Sequence, residues 1–120
     1  NILVTGGSFI DDGTTLTAPD YVFEKYFNGS SALKDSYDFS SLESIEAYVK
    51  QNKHLPGIKS AYEIQEDGWD ISFASRFNLE KVEELFLHTI EQDKKIKTLH
   101  KENELLKARL DAIEKMLQKQ

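Results

Sequence analysis

Residues 78–120 read NLEKVEELFLHTIEQDKKIKTLHKENELLKARLDAIEKMLQKQ, and this stretch decides the fold. It contains no Pro and no Gly and is dense in Leu, Glu, Lys, Ile and Ala, which are mostly strong helix formers. One heptad register fits it throughout. The a positions are Val82, Thr89, Ile96, Asn103, Leu110 and Leu117, and the d positions are Leu85, Gln92, Leu99, Leu106, Ile113 and Gln120. Eight of these twelve are aliphatic and the other four are polar without charge, which is a coiled-coil seam of period 3.5. At 1.5 Å per residue the helix would extend roughly 64 Å. A rod with so narrow an apolar stripe has little of its own to pack against, so the seam is expected to meet copies of itself.

The two ends of this helix differ. VEELFLHTI, residues 82–90, adds Phe86, Leu87 and Ile90 to the seam residues, too many faces for a free-standing stripe. A small head is expected to dock there, with Tyr21, Phe23, Trp69, Phe86 and Ile90 as the docking residues. From Asp93 onward the positions outside the seam are nearly all polar. In a parallel coil each g position faces the e position five residues later on its neighbour. Glu102 with Lys107 and Arg109 with Glu114 are opposite in sign, and His88 with Asp93 is compatible. The pattern points to a parallel, in-register homo-oligomer. Asn103 at a leans towards two chains; Leu110 at a with Ile113 at d leans towards more.

Outside the helix, 77 residues remain, near the lower limit for an independent core. They carry twelve acids and six bases, whereas residues 78–120 carry nine of each. An acidic head argues against nucleic acid or anionic lipid as partner, since both need a basic footprint. There is no Cys, which excludes a disulfide framework, a Cys-based zinc site and a Cys nucleophile. No apolar run reaches the length of a membrane span, so no membrane insertion is expected. The chain starts at Asn1 without a recognisable signal peptide and reads as the C-terminal piece of a longer protein.

Residues 1–18, NILVTGGSFIDDGTTLTA, are rich in Gly, Thr and β-branched residues, with Asp12-Gly13 as a hairpin-turn pair. They read as short strands, a β-rich arm or the end of a fibre shaft. After Pro19, DYVFEKYF places Tyr21, Phe23, Tyr26 and Phe27 within eight residues, a core anchor that fits either a strand or a helical turn. Residues 28–38 are loop by composition, and Asn28-Gly29-Ser30 also matches the N-glycosylation pattern. SSLESIEAYVKQN, residues 40–52, reads as a short helix opened by a Ser40/Glu43 capping box. It ends at His54-Leu55-Pro56-Gly57, a turn, and Ser60/Glu63 repeats the capping spacing for one or two turns that Asp67-Gly68 stops. Trp69, Ile71 and Phe73 alternate as in a strand or an extended lead-in, and Asn78 is placed to cap the long helix. The expected class is α+β: a small β-rich N-terminal segment and short helices, then a long C-terminal helix forming a parallel homo-oligomeric coiled coil. The expected divisions are 1–18, a head over 19–90, and a stalk over 91–120.

Four pieces of the chain carry a resemblance: Asp20-Tyr21-Val22-Phe23 after Pro19, KQNKHLPGI over 50–58, KSAYEIQEDG over 59–68, and KVEELFLHTIEQDKKI over 81–96. Together they resemble C-terminal modules of tail-fibre-like and adhesin-like surface proteins from Bacteroidetes-type bacteria and their phages, over roughly residues 19–97. Residues 28–38 stand as an insertion against that pattern, and GWDISFASRF replaces its usual Leu-rich approach to the helix. Such modules are similar in layout to the intramolecular chaperone ends of phage tailspikes, which hold three chains together while a β-rich fibre folds. The self-cleaving Ser–Lys arrangement of some of those chaperones does not map onto this chain.

The resemblance implies a trimer rather than a dimer and an extracellular, cell-surface or virion location. The leading function is structural: an oligomerisation cap, and a folding chaperone, for a fibrous protein. Its carriers are the seam residues Val82, Leu85, Thr89, Gln92, Ile96, Leu99, Asn103, Leu106, Leu110, Ile113 and Leu117. The alternative is a stalk-borne tip that binds a cell-surface receptor or glycan through Tyr21, Tyr26, Tyr37, Tyr62 and Trp69. Exposure of Trp69 in a concave site would favour that alternative. Acid pairs such as Asp67/Asp70 and Asp11/Asp12 are better explained by turns than by catalysis or metal binding. No enzyme activity, catalytic residue, cofactor or metal is expected.

Overall fold

The computed structural model describes residues 3–8, 10 and 18–119. Among them are four helices and no strand: α1 (Tyr21–Asn28), α2 (Leu42–Asn52), α3 (Ala61–Asp67) and α4 (Ile71–Gln118). The expected α+β class is therefore corrected to all-α. Residues 3–8 and 10, part of the supposed β-rich arm, pair with nothing as strands, while the Asp12-Gly13 hairpin lies outside the described residues.

Two stretches of period-two alternation turn out to be helical. In α1 the neighbours Tyr21 and Val22 are both buried, as adjacent residues on the inner side of a helical turn can be and on a strand with one solvated face cannot. Gly29, at φ 84°, closes the helix by giving its N–H to the Lys25 carbonyl. Trp69 to Phe73 is a cap and first turn: Asp70 Oδ1 accepts from the Phe73 N–H at 3.1 Å, and the Asp70 carbonyl accepts from Ala74 N–H. Asp70, not Asn78, thus opens the long helix, which starts at Ile71. Phe73 and Phe77, one turn apart, stack at 6.0 Å.

The short helices are capped much as their sequences suggest. The Ser60/Glu63 capping box at α3 is complete in both directions. At α2 the cap is Ser41, whose hydroxyl accepts from Ser44 N–H, one residue later than the expected Ser40. α2 ends on Lys53 at φ 63°, a left-handed position without glycine. The Pro56-Gly57 turn follows; Gly57 takes φ 85°, and a Cβ there would sit 3.4 Å from the Phe77 ring.

The chain divides into two compact units, 1–84 and 85–120. In the first, Tyr21, Val22, Tyr37, Ala74 and Phe77 form the buried core, with Tyr21 and Tyr37 rings 5.0 Å apart. α2 has no buried residue; Ile45, Tyr48 and Val49 are half-buried. In the second unit Leu87 is fully buried and His88 nearly so, and every described residue from 92 onward is exposed.

Candidate oligomerisation surface

The first unit grips α4 by hydrogen bonds as much as by apolar contact. Tyr21 donates its hydroxyl proton to Glu80, and Tyr37 donates to Glu84 Oε2 at 2.5 Å. The two carboxylates are four residues apart on α4 and so lie one above the other on one face. Lys81 lies between them, 2.8 Å from Glu84 and 3.3 Å from Glu80, with its Nζ 4.8 Å from the Phe77 ring centre. Arg76 adds a donor to the Tyr21 hydroxyl at 3.2 Å. Burying Glu80 and Glu84 is tolerable because each carboxylate has a tyrosine and a cation as partners.

The acids act back on the phenols. Burial, then the hydrogen bond and charge of Glu80, push the Tyr21 hydroxyl up to about 12. Burial and Glu84 raise Tyr37 further still. Beside them Glu83 is also buried; desolvation, then Asp20 and Glu80, raise its pKa. Its Oε2, like Arg76 Nε, has no hydrogen-bond partner among the described residues.

Within the first unit this grip sets which face of α4 is left exposed. In the heptad register Phe73, Phe77, Glu80 and Glu84 fall at f, c, f and c, opposite the a/d seam. All eleven seam residues from Val82 to Leu117 are exposed in the single chain, including Thr89, Gln92 and Asn103. Among the docking residues, Tyr21 is buried and Phe23 half-buried, whereas Trp69, Phe86 and Ile90 are exposed. The structure thus brings the seam together as one open stripe and does not bring Phe86 or Ile90 into a core. Sequence reasoning missed Tyr37, Glu80 and Glu84 as docking groups. The available signal was a pair of Glu at i, i+4 beside an apolar run, which ordinarily marks a solvated face.

Trp69, 45 % exposed, borders a cavity of about 400 Å³ together with Gly57, Ile58, Lys59, Gly68, Asp70 and Phe73. Of the other tyrosines named for binding, Tyr62 is exposed, Tyr26 half-buried, and Tyr21 and Tyr37 belong to the core. Among the described residues no cluster of His, Asp or Glu is arranged to hold a metal ion, and no helix is long and apolar enough to cross a membrane. Comparison with protein families, curated proteins and solved structures finds no match for the chain.

Proposed function

We propose that this chain is a parallel homo-oligomerisation module, trimeric rather than dimeric, that aligns the chains of a fibrous protein and serves as its folding cap. One observation carries the reading: all eleven seam residues of α4 are exposed in the single chain, while Glu80 and Glu84, held by Tyr21 and Tyr37, lie on the other face of the helix. Ile96, Leu99, Leu106, Leu110, Ile113 and Leu117 are each more than half exposed, a cost that a self-complementary partner removes. Leu110 at a with Ile113 at d supports the higher copy number. Holding chains in register raises their effective concentration, so slow, non-local pairing upstream starts from aligned segments. The fibre and its surface or virion setting rest on the sequence resemblance.

Multi-angle light scattering tests this. The intact chain should have three times its monomer mass at micromolar concentration, and Leu99→Lys with Leu106→Lys should return it to monomer. A monomeric intact chain would sink the proposal.

A second reading, a binding tip for a receptor or glycan, is favoured by the exposed face of Trp69 at its cavity. Sugar rings stack on such faces, and Lys59 and Asp70 offer polar flanks. Quenching or shift of Trp69 emission across a glycan panel, lost in Lys59→Ala, is the expected result; a flat response throughout removes this reading.

A further inference from the structure

The seam read from the sequence begins at Val82, but α4 begins at Ile71. Carrying the register upward places Ile71 and Asn78 at d and Ser75 at a. All three are exposed, as is Val82. Leu79, at e, is 48 % exposed, and Ile71 is 68 % exposed. On the other flank the g positions, Ala74 and Lys81, are already taken up by the first unit: Ala74 is buried and Lys81 bridges Glu80 and Glu84. The stripe inside the first unit is therefore a, d and e, with the unit's own body filling the g side. An a/d/e stripe is the broader face of a helix in a bundle, wider than a two-chain seam.

From this we infer that the interchain interface does not stop at the stalk but runs up through the first unit to Ile71, its occupant being the same segment of neighbouring copies. The inference rests on the oligomer reading above. What names the occupant is continuity of register: the stripe Ile71, Ser75, Asn78, Val82 is the upward extension, without a skip, of the seam that the stalk carries. In a parallel arrangement the e position of one chain faces the g position five residues earlier on the next. Leu79 of one copy then faces the g flank of its neighbour, where Ala74 is buried under that neighbour's own first unit. The body of each first unit, gripping the f and c positions and filling the g side, borders the coil on that flank.

The absence of cysteine makes the test direct. Single-Cys variants of the full chain, Ser75→Cys and Asn78→Cys, are treated with a short bismaleimide and run on a denaturing gel. Leu106→Cys is the positive control in the stalk, and Glu66→Cys, exposed on α3, controls for random collision. The expected result is efficient linkage at 75, 78 and 106 and none at 66. Linkage at 106 without linkage at 75 or 78 overturns this inference and leaves the oligomer reading intact. Failure at all three seam positions overturns both. As an independent readout, Leu79→Lys should weaken association by tenfold or more in sedimentation equilibrium. An unchanged constant removes Leu79 from the interface.

Discussion

The Tyr37–Glu84 bond is the sharpest handle on how the first unit holds its helix. Replacing Tyr37 by Phe keeps the ring against Tyr21, 5.0 Å away, and removes only the hydroxyl. Glu84 Oε2 then loses its 2.5 Å donor while remaining buried, and Lys81 still holds Oε1. A hydrogen bond to a charged acceptor is worth about 1.5–3 kcal/mol, and an acceptor left buried keeps its desolvation cost. Because Lys81 shares the charge, the expected loss lies near the middle of that range, about 2 kcal/mol. Trp69 is the sole tryptophan and sits in the first unit, so its emission during urea unfolding reports on that unit. Chain concentration must be held fixed, since association adds to apparent stability. The same Tyr37→Phe change made on a Glu84→Met background should cost at most about 0.5 kcal/mol, because no carboxylate remains to be orphaned. Equal costs in the two backgrounds, or a loss below about 0.5 kcal/mol in the first, would refute the claim that this bond anchors the helix.

Three further outcomes follow from the same region and its surroundings. Glu83→Gln removes a charge whose buried oxygen lacks a partner, and should stabilise the first unit at pH 7 by about 1 kcal/mol in the same urea assay; destabilisation would mean the carboxylate is needed. The raised phenol pKa of Tyr21 means that its contribution is complete below the ordinary value of 10.0 and is lost as pH rises towards about 12. Trp69 emission followed in an alkaline titration should therefore show loosening across that window, and native emission persisting above it would contradict the buried bonds. Lys53→Gly relieves the φ 63° position that ends α2 and should raise stability by about 0.5–1 kcal/mol, read as a shifted urea midpoint; an unchanged or lower midpoint would mean the left-handed residue costs nothing there.

The sequence by itself determined the long helix and its heptad register, because these depend on spacing within one segment. It also determined the α3 capping box and the Pro56-Gly57 turn, which are local chemistry. Tertiary structure decided the rest. Whether DYVFEKYF and WDISF are strands or helices depends on which residues find burial: Tyr21 and Val22 are buried together, and Asp70 is free to cap a helix that Phe73 and Phe77 then anchor. The expected β-rich segment over 1–18 failed in its described residues because β-branched composition makes no strand without a pairing partner, and residues 3–8 and 10 form none, while the short alternations at Tyr21 and Trp69 also fit a helical turn. The Tyr21–Glu80 and Tyr37–Glu84 bonds join residues 59 and 47 positions apart, a distance at which local pattern carries no information. By gripping the c and f positions of α4, those bonds set which face stays outside. The seam was legible as a pattern; within the first unit, packing on the other face of α4 left Ile71, Ser75, Asn78 and Val82 exposed.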